Sequence, residues 1–146
     1  MREDGKLLLV RQERVPIRST IWETPAGQID DTIEPNEEQV RSAALRELTE
    51  ETGYELAAGG ELISIGYYFS SPGFTDEHGY FFLARPVERR AEHWKWDEAE
   101  SICDCAAFTV DELRKMIAEN EIRDANTLSI LAKLAALGFL CLTVRE

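Results

Sequence analysis

The chain has 146 residues, 44% of them hydrophobic, and a formal net charge of −12 at pH 7. This length suffices for one domain with its own core, without disulfide bonds or structural metals. The negative charge opposes broad contact with a nucleic-acid backbone, so no nucleic-acid partner is expected. Residues 1–4 lack the apolar character of a signal peptide, so secretion is not expected. The apolar stretch 128–144 is interrupted by Lys133 and Gly138, so no membrane span is expected.

The first half of the chain predicts two strands and one helix. Residues 5–11 have the apolar run of a buried strand, and residues 21–23 form a short extended piece before a Pro-Ala-Gly turn. Asn36 is placed to cap the helix, with Gln39 completing a capping box, and Gly53 fits the position that follows the last turn.

The second half predicts strands followed by helices. Strands are expected at 61–70 and 79–87, joined by a loop at 71–77, and at 105–108, after a polar loop at 89–100. Trp94 and Trp96 lie in that polar loop, where partial burial is expected in preference to stacking on an adenine. Helices should begin at Thr109, with a second capping box, and at Asp124, the latter ending near Gly138. Interleaved strands and helices favour an α/β layer fold.

Three carboxylates dominate the predicted first helix. Glu47, Glu50 and Glu51 stand at spacing i, i+3 and i+4, which places them on one helical face. Like charges this close either spread into water or are neutralised by a bound cation. A solvated acidic helix is one interpretation; the other is a site for Mg²⁺ or Mn²⁺, which prefer oxygen ligands.

The three cysteines show neither a zinc spacing nor a disulfide framework. Cys103, Cys105 and Cys141 are expected to be reduced thiols in the core of a cytoplasmic protein.

A motif surrounds the carboxylates. Gly27, Glu38, Arg46-Glu47, Glu50-Glu51 and Gly53-Tyr54 resemble the Nudix box, the signature of the Nudix hydrolases, although ten residues separate Gly27 from Glu38 where the family has five. The resemblance implies a Nudix α/β/α sandwich with a mixed β-sheet, formed by residues 1–146 as a single domain. The N-terminal strands usual in this branch of the family are absent before residue 5, and a homodimer is left open.

The resemblance also implies roles for the box residues. Glu47, Glu50 and Glu51 would bind Mg²⁺, with Mn²⁺ as an alternative, together with the backbone carbonyl of Ala26. The structural residues of the box would be Gly27, Glu38, Arg46 and Gly53.

Segments outside the box resemble the ADP-ribose and nucleoside diphosphate sugar pyrophosphatases. The residues that the resemblance marks for substrate binding are Arg14, Trp22, Phe74 and Glu77. Arg14 would hold the diphosphate, since a guanidinium fits phosphate oxygens, or would be an ordinary surface residue. Phe74 would cover a base or cap the core, and Glu77 would bind a ribose hydroxyl or assist at the metals. Glu98 and Glu100 are the candidates for the general base.

The expected function is therefore Mg²⁺-dependent hydrolysis of ADP-ribose or a related nucleoside diphosphate sugar to a nucleoside monophosphate and a sugar phosphate. The alternatives are a pyrophosphatase for another dinucleotide or nucleotide sugar, and a Nudix module that binds a nucleotide without hydrolysing it. An acidic interaction protein without a ligand would leave the capped glutamate helix and the Pro-Ala-Gly turn unexplained.

Overall fold

A computed structural model describes residues 1–29, 34–90, 94–96 and 101–143. Its first sheet has the strand order β2-β1-β5, and both pairings are antiparallel. The strands are β1 (Leu7–Arg14), β2 (Ser19–Glu23) and β5 (Ile102–Phe108), and a 3₁₀ turn (Val15–Ile17) joins the first two. β1 is the central strand, and its apolar first half is buried.

The second sheet is a long antiparallel hairpin of β3 (Tyr54–Phe69) and β4 (His78–Arg89). β3 begins directly after Gly53, seven residues before the start predicted from sequence. The predicted start came late because residues 57–60, Ala-Ala-Gly-Gly, have low strand propensity, and the register shifts between Leu56 and Glu61. All pairings between the named strands are antiparallel. The isolated bridge between Arg2 and Val87 is parallel, so the described residues contain both kinds of pairing, as expected for a mixed sheet.

In the part of the chain that the structure describes, three helices complete the fold: α1 (Glu37–Thr52), α2 (Val110–Ala118) and α3 (Ala125–Ala136). The predicted capping box of Asn36 and Gln39 is confirmed, as is that of Thr109 at the start of α2. Gly53 ends α1 with φ 71°, a left-handed conformation that glycine adopts without strain. Asp124 caps α3 through its side chain.

The main core joins both sheets to α2 and α3. It includes Leu9, Phe81, Leu113 and Leu131, all buried. Side chains alternate along a strand, so Leu8 and Val10 point to the other face of β1 and are buried there as well. Burial on both faces of the central strand agrees with the predicted α/β/α layering.

The prediction of core thiols is wrong for two of the three cysteines. Cys103 and Cys141 are exposed, whereas Cys105 is half-buried. On β5 the side chains alternate, so Ile102 takes the buried position and Cys103 faces outward. Burial raises the pKa of the Cys105 thiol to about 11.

Within the described residues, no helix has both the length and the apolar composition needed to cross a membrane.

Candidate functional site

The carboxylates of α1 differ in their surroundings. Glu47 and Glu51 are buried, at 8% and 4% exposure, whereas Glu50 is exposed. Arg46 bridges two of them, since its Nη2 lies 2.9 Å from Glu47 Oε1 and its Nη1 donates to Glu50 Oε2 at 2.7 Å. The i, i+4 pair predicted for Arg46 and Glu50 is therefore confirmed.

The backbone turn at Ala26 and Gly27 packs directly on these carboxylates. The Ala26 N–H donates to Glu51 Oε2 at 2.9 Å. A Cβ on Gly27 would lie 1.9 Å from both Cδ and Oε1 of Glu47, so only glycine allows this approach. The Arg46 guanidinium also donates to the Gln28 carbonyl at 3.1 Å, which ties the segment after the turn to the helix.

Two polar contacts hold the start of the turn. Arg14 binds the buried Glu23 carboxylate through two hydrogen bonds, one of them from Nε at 2.8 Å. The hydrogen bond to Glu23 raises the pKa of Arg14. The Thr24 N–H donates to the hydroxyl of the fully buried Thr127 at 2.8 Å. The sequence pattern predicted neither the pairing of Arg14 with Glu23 nor that of Thr24 with Thr127, because both contacts form only in the tertiary fold.

Trp94 and Trp96 lie at the C-terminal end of α1, beside the last turn that carries Glu51. Trp96 Nε1 donates to the Glu51 carbonyl at 2.8 Å, and the ring of Trp94 covers Gly53 so closely that a Cβ there would lie 2.7 Å from Trp94 Cδ2. The expected partial burial of both residues is confirmed. Glu98 and Glu100, the candidates for the base, lie outside the described residues.

The remaining predicted substrate residues are spread apart. Phe74 is 91% exposed, so the interpretation of Phe74 as a core cap is wrong. Its loop turns outward there, as the Phe74 N–H donates to the Ser71 carbonyl. Trp22 packs edge-on against Phe108, with ring centroids 5.0 Å apart. Glu77 accepts a hydrogen bond from the Ser70 hydroxyl.

A cavity of about 530 Å³ is lined by some of the predicted site residues. Glu47 and Glu77 both line it, together with Tyr68 and the turn from Thr24 to Ile29, whereas Arg14, Trp22, Phe74 and Glu51 do not. Burial raises the pKa of the Tyr68 hydroxyl.

The donor set suits a divalent cation of the Mg²⁺ type. In the described residues no three Asp, Glu, His or Cys side chains converge as a metal site, and both Glu47 and Glu50 pair with Arg46. Mg²⁺ is commonly held by one or two carboxylates, with water and substrate phosphates completing its shell. Glu47 and Glu51, packed on the Ala26-Gly27 backbone, supply such a pair. The last turn of α1 contains no basic residue, so the negative end of the helix dipole adds to the attraction for a cation.

Comparison with known proteins assigns the family. Residues 1–129 match the model of the NUDIX domain, and the chain belongs to this family. It is 36% identical over 125 residues to the ADP-ribose pyrophosphatase of Bacillus subtilis (strain 168), an alignment that covers 86% of this chain and 63% of that protein. It is also 36% identical over 124 residues to the methanol dehydrogenase activator of Bacillus methanolicus, with coverages of 85% and 62%.

A solved structure described as an ADP compounds hydrolase matches with a TM-score of 0.72 at 20% identity, covering 94% of this chain and 70% of that one. This likeness confirms the predicted Nudix α/β fold. The chain spans a little over three fifths of the length of the two Bacillus relatives.

Proposed function

We propose that this domain hydrolyses the diphosphate of ADP-ribose or a related nucleoside diphosphate sugar, giving a nucleoside monophosphate and a sugar phosphate. The observation that carries the proposal is the packing of the buried Glu47 and Glu51 on the Ala26-Gly27 turn. The choice of substrate is supported by the 36% identity to a protein named ADP-ribose pyrophosphatase.

The proposed metal is Mg²⁺, with Mn²⁺ as an alternative, held by Glu47, Glu51 and the Ala26 carbonyl, and with Glu50 as a further ligand. Such an ion neutralises a diphosphate and lowers the pKa of a bound water. Arg46 keeps Glu47 and Glu50 close to the turn. Its guanidinium also offsets part of the repulsion between these carboxylates.

Of the four residues proposed to contact the substrate, Glu77 lines the cavity, whereas Arg14, Trp22 and Phe74 lie outside its lining. Glu77 is proposed to bind a ribose hydroxyl, and Phe74, whose side chain is 91% exposed, is proposed to stack on a base. Arg14 is proposed for the diphosphate and Trp22 for the wall of the site. Arg14 already binds Glu23, so its contact with phosphate would use the guanidinium edge that faces away from that carboxylate.

The proposed general base is Glu98 or Glu100. Replacing each separately by Gln should give one variant with a large loss of kcat and little change in substrate binding. Two variants that behave like the wild type would remove both residues from the mechanism.

A nucleotide panel tests the proposed function. The wild-type protein is assayed with Mg²⁺ against ADP-ribose, other nucleotide sugars and dinucleotides, and the released monophosphate is measured. Turnover of ADP-ribose should fall by at least about 10²-fold in Glu51→Gln, because a ligand carboxylate is lost, while the circular dichroism spectrum is unchanged. Glu37→Gln, an exposed acidic residue in the first turn of the same helix, controls for the loss of one charge.

The outcomes of this panel separate the alternatives. Preference for another nucleotide sugar or a dinucleotide would move the proposal to that substrate. Binding of ADP-ribose without product, with equal affinity in Glu51→Gln and without metal, would show a binding module instead.

We also propose that the chain is a single domain located in the cytoplasm. One core cluster draws on β1, β3, β4, α2 and α3, which supports a single folding unit. Cys103 and Cys105 are free thiols, as is usual in a reducing compartment.

A further inference from the structure

Glu51 is held at two points by segments distant from it in sequence. Its carboxylate accepts from the Ala26 N–H at 2.9 Å, and its backbone carbonyl accepts from Trp96 Nε1 at 2.8 Å. The last carbonyls of a helix have no partner within the helix, and the Trp96 indole supplies a donor to one of them. The side chain and the backbone of one candidate ligand are thereby held by two different segments of the chain.

The two neighbouring tryptophans make different contacts. Trp94 and Trp96 pack edge to face, with ring centroids 5.2 Å apart. Trp94 covers Gly53 with its ring, and its Nε1 is buried without a hydrogen-bond partner among the described residues. Trp94 therefore contributes packing, whereas Trp96 contributes packing and a hydrogen bond to Glu51.

The indole contact lies where α1 most needs a donor. Carboxylates near the C-terminus of a helix oppose its dipole, and the last turn of α1 has no basic residue to offset this. The N–H of Trp96 points at the negative end of the helix and binds the carbonyl of the residue whose carboxylate packs on the turn. Loss of this donor frees the last turn to move and carries the Glu51 side chain with it.

We propose that Trp96 is a positioning residue for the hydrolysis, acting through the Glu51 carbonyl to fix the Glu51 carboxylate. This inference rests on the proposed function, since it assigns Trp96 to the same site. Catalytic groups need to be held within about 0.5 Å of their productive geometry, and a displacement of about 1 Å can cost on the order of 10²-fold in rate. One hydrogen bond at the end of α1 is sufficient to control a displacement of that size.

Trp96→Phe and Trp94→Phe form a matched pair, because each keeps an aromatic ring and removes one indole N–H. Trp96→Phe should lower kcat for ADP-ribose by about tenfold, the effect of roughly one hydrogen bond, with KM changed by less than about twofold. Trp94→Phe should keep kcat within about twofold of the wild type. The split between kcat and KM separates positioning from loss of substrate binding.

Amide hydrogen exchange supplies a readout that does not depend on activity. In Trp96→Phe the amides of Ala26 and of residues 52–54 should exchange at least about fivefold faster than in Trp94→Phe. Equal kcat and equal exchange in the two variants would overturn the inference. A wild-type protein that hydrolyses no nucleotide would instead overturn the proposed function, and exchange that is faster only in Trp96→Phe would still show that the indole holds α1 and its Glu51.

Discussion

Gly27→Ala tests the close packing of the turn on Glu47. The added methyl would lie 1.9 Å from Glu47 Cδ and Oε1 and 2.4 Å from Oε2. The carboxylate must therefore move by about 1.5 Å to reach van der Waals distance. The φ of Gly27 is not in the left-handed region, so the substitution adds a steric conflict without backbone strain.

The predicted magnitude differs between stability and activity. Glu47 is a flexible side chain that can rotate away, so the cost in stability should be about 1 kcal/mol, at the low end for overpacking. A carboxylate displaced by more than about 1 Å should lower kcat/KM on the order of 10²-fold, equivalent to about 2.7 kcal/mol. The variant should therefore fold normally and hydrolyse ADP-ribose poorly.

A double-mutant cycle with Glu47→Ala provides the assay. Hydrolysis rates and Tm are measured for Gly27→Ala, Glu47→Ala and the double variant. Because Glu47→Ala removes the group that the methyl strikes, Gly27→Ala should add almost nothing in that background. Equal losses from Gly27→Ala in both backgrounds would refute the reasoning, since the methyl would then act on the backbone and not through Glu47.

Three further predictions concern groups around the site and the helix ends. Iodoacetamide at pH 8 should modify the exposed Cys103 before Cys105, whose thiol pKa is raised to about 11 by burial; tandem mass spectrometry showing Cys105 modified first would contradict this. Hydrogen bonds from the residue that caps α2 lower the pKa of Glu112 from 4.5. Its contribution to stability is therefore full above pH 4.5 and is lost as the pH falls through the lowered value. Glu112→Gln should accordingly make Tm fall less steeply as the pH is lowered. If the acid part of the Tm-against-pH curve is unchanged, Glu112 does not contribute to the pH dependence of stability. Thr127→Val should cost about 1–3 kcal/mol in urea unfolding, because the half-buried Thr24 N–H loses the buried hydroxyl that accepts its hydrogen bond. A change below about 0.3 kcal/mol would mean that another acceptor replaces the Thr127 hydroxyl.

Local features were the most predictable from sequence. The capping boxes of α1 and α2 each join residues three positions apart. The end of α1 at Gly53 was predictable because glycine adopts the left-handed φ that commonly ends a helix. The pair of Arg46 and Glu50 follows from the helical repeat alone. Each of these could be predicted because all the interacting groups lie within one or two helical turns.

Contacts between distant segments were not predictable in the same way. Trp96 meets Glu51 across 45 residues, and Thr127 meets Thr24 across 103. Nothing in the local pattern around Trp96 distinguishes its indole from that of Trp94. Only the tertiary fold decides which of the two finds the end of α1. The contact between the Arg46 guanidinium and the Gln28 carbonyl likewise joins residues 18 positions apart, so the helical repeat does not predict it.

The central claim is that the carboxylate face of α1 binds a divalent cation. The most direct measurement is a Mn²⁺ titration of the wild-type protein, Glu51→Gln and Glu37→Gln, with free Mn²⁺ followed by electron paramagnetic resonance. We predict saturable binding in the wild type and in Glu37→Gln, and an affinity at least about tenfold lower in Glu51→Gln. Equal affinity in all three proteins, or no binding in the wild type, would contradict the claim.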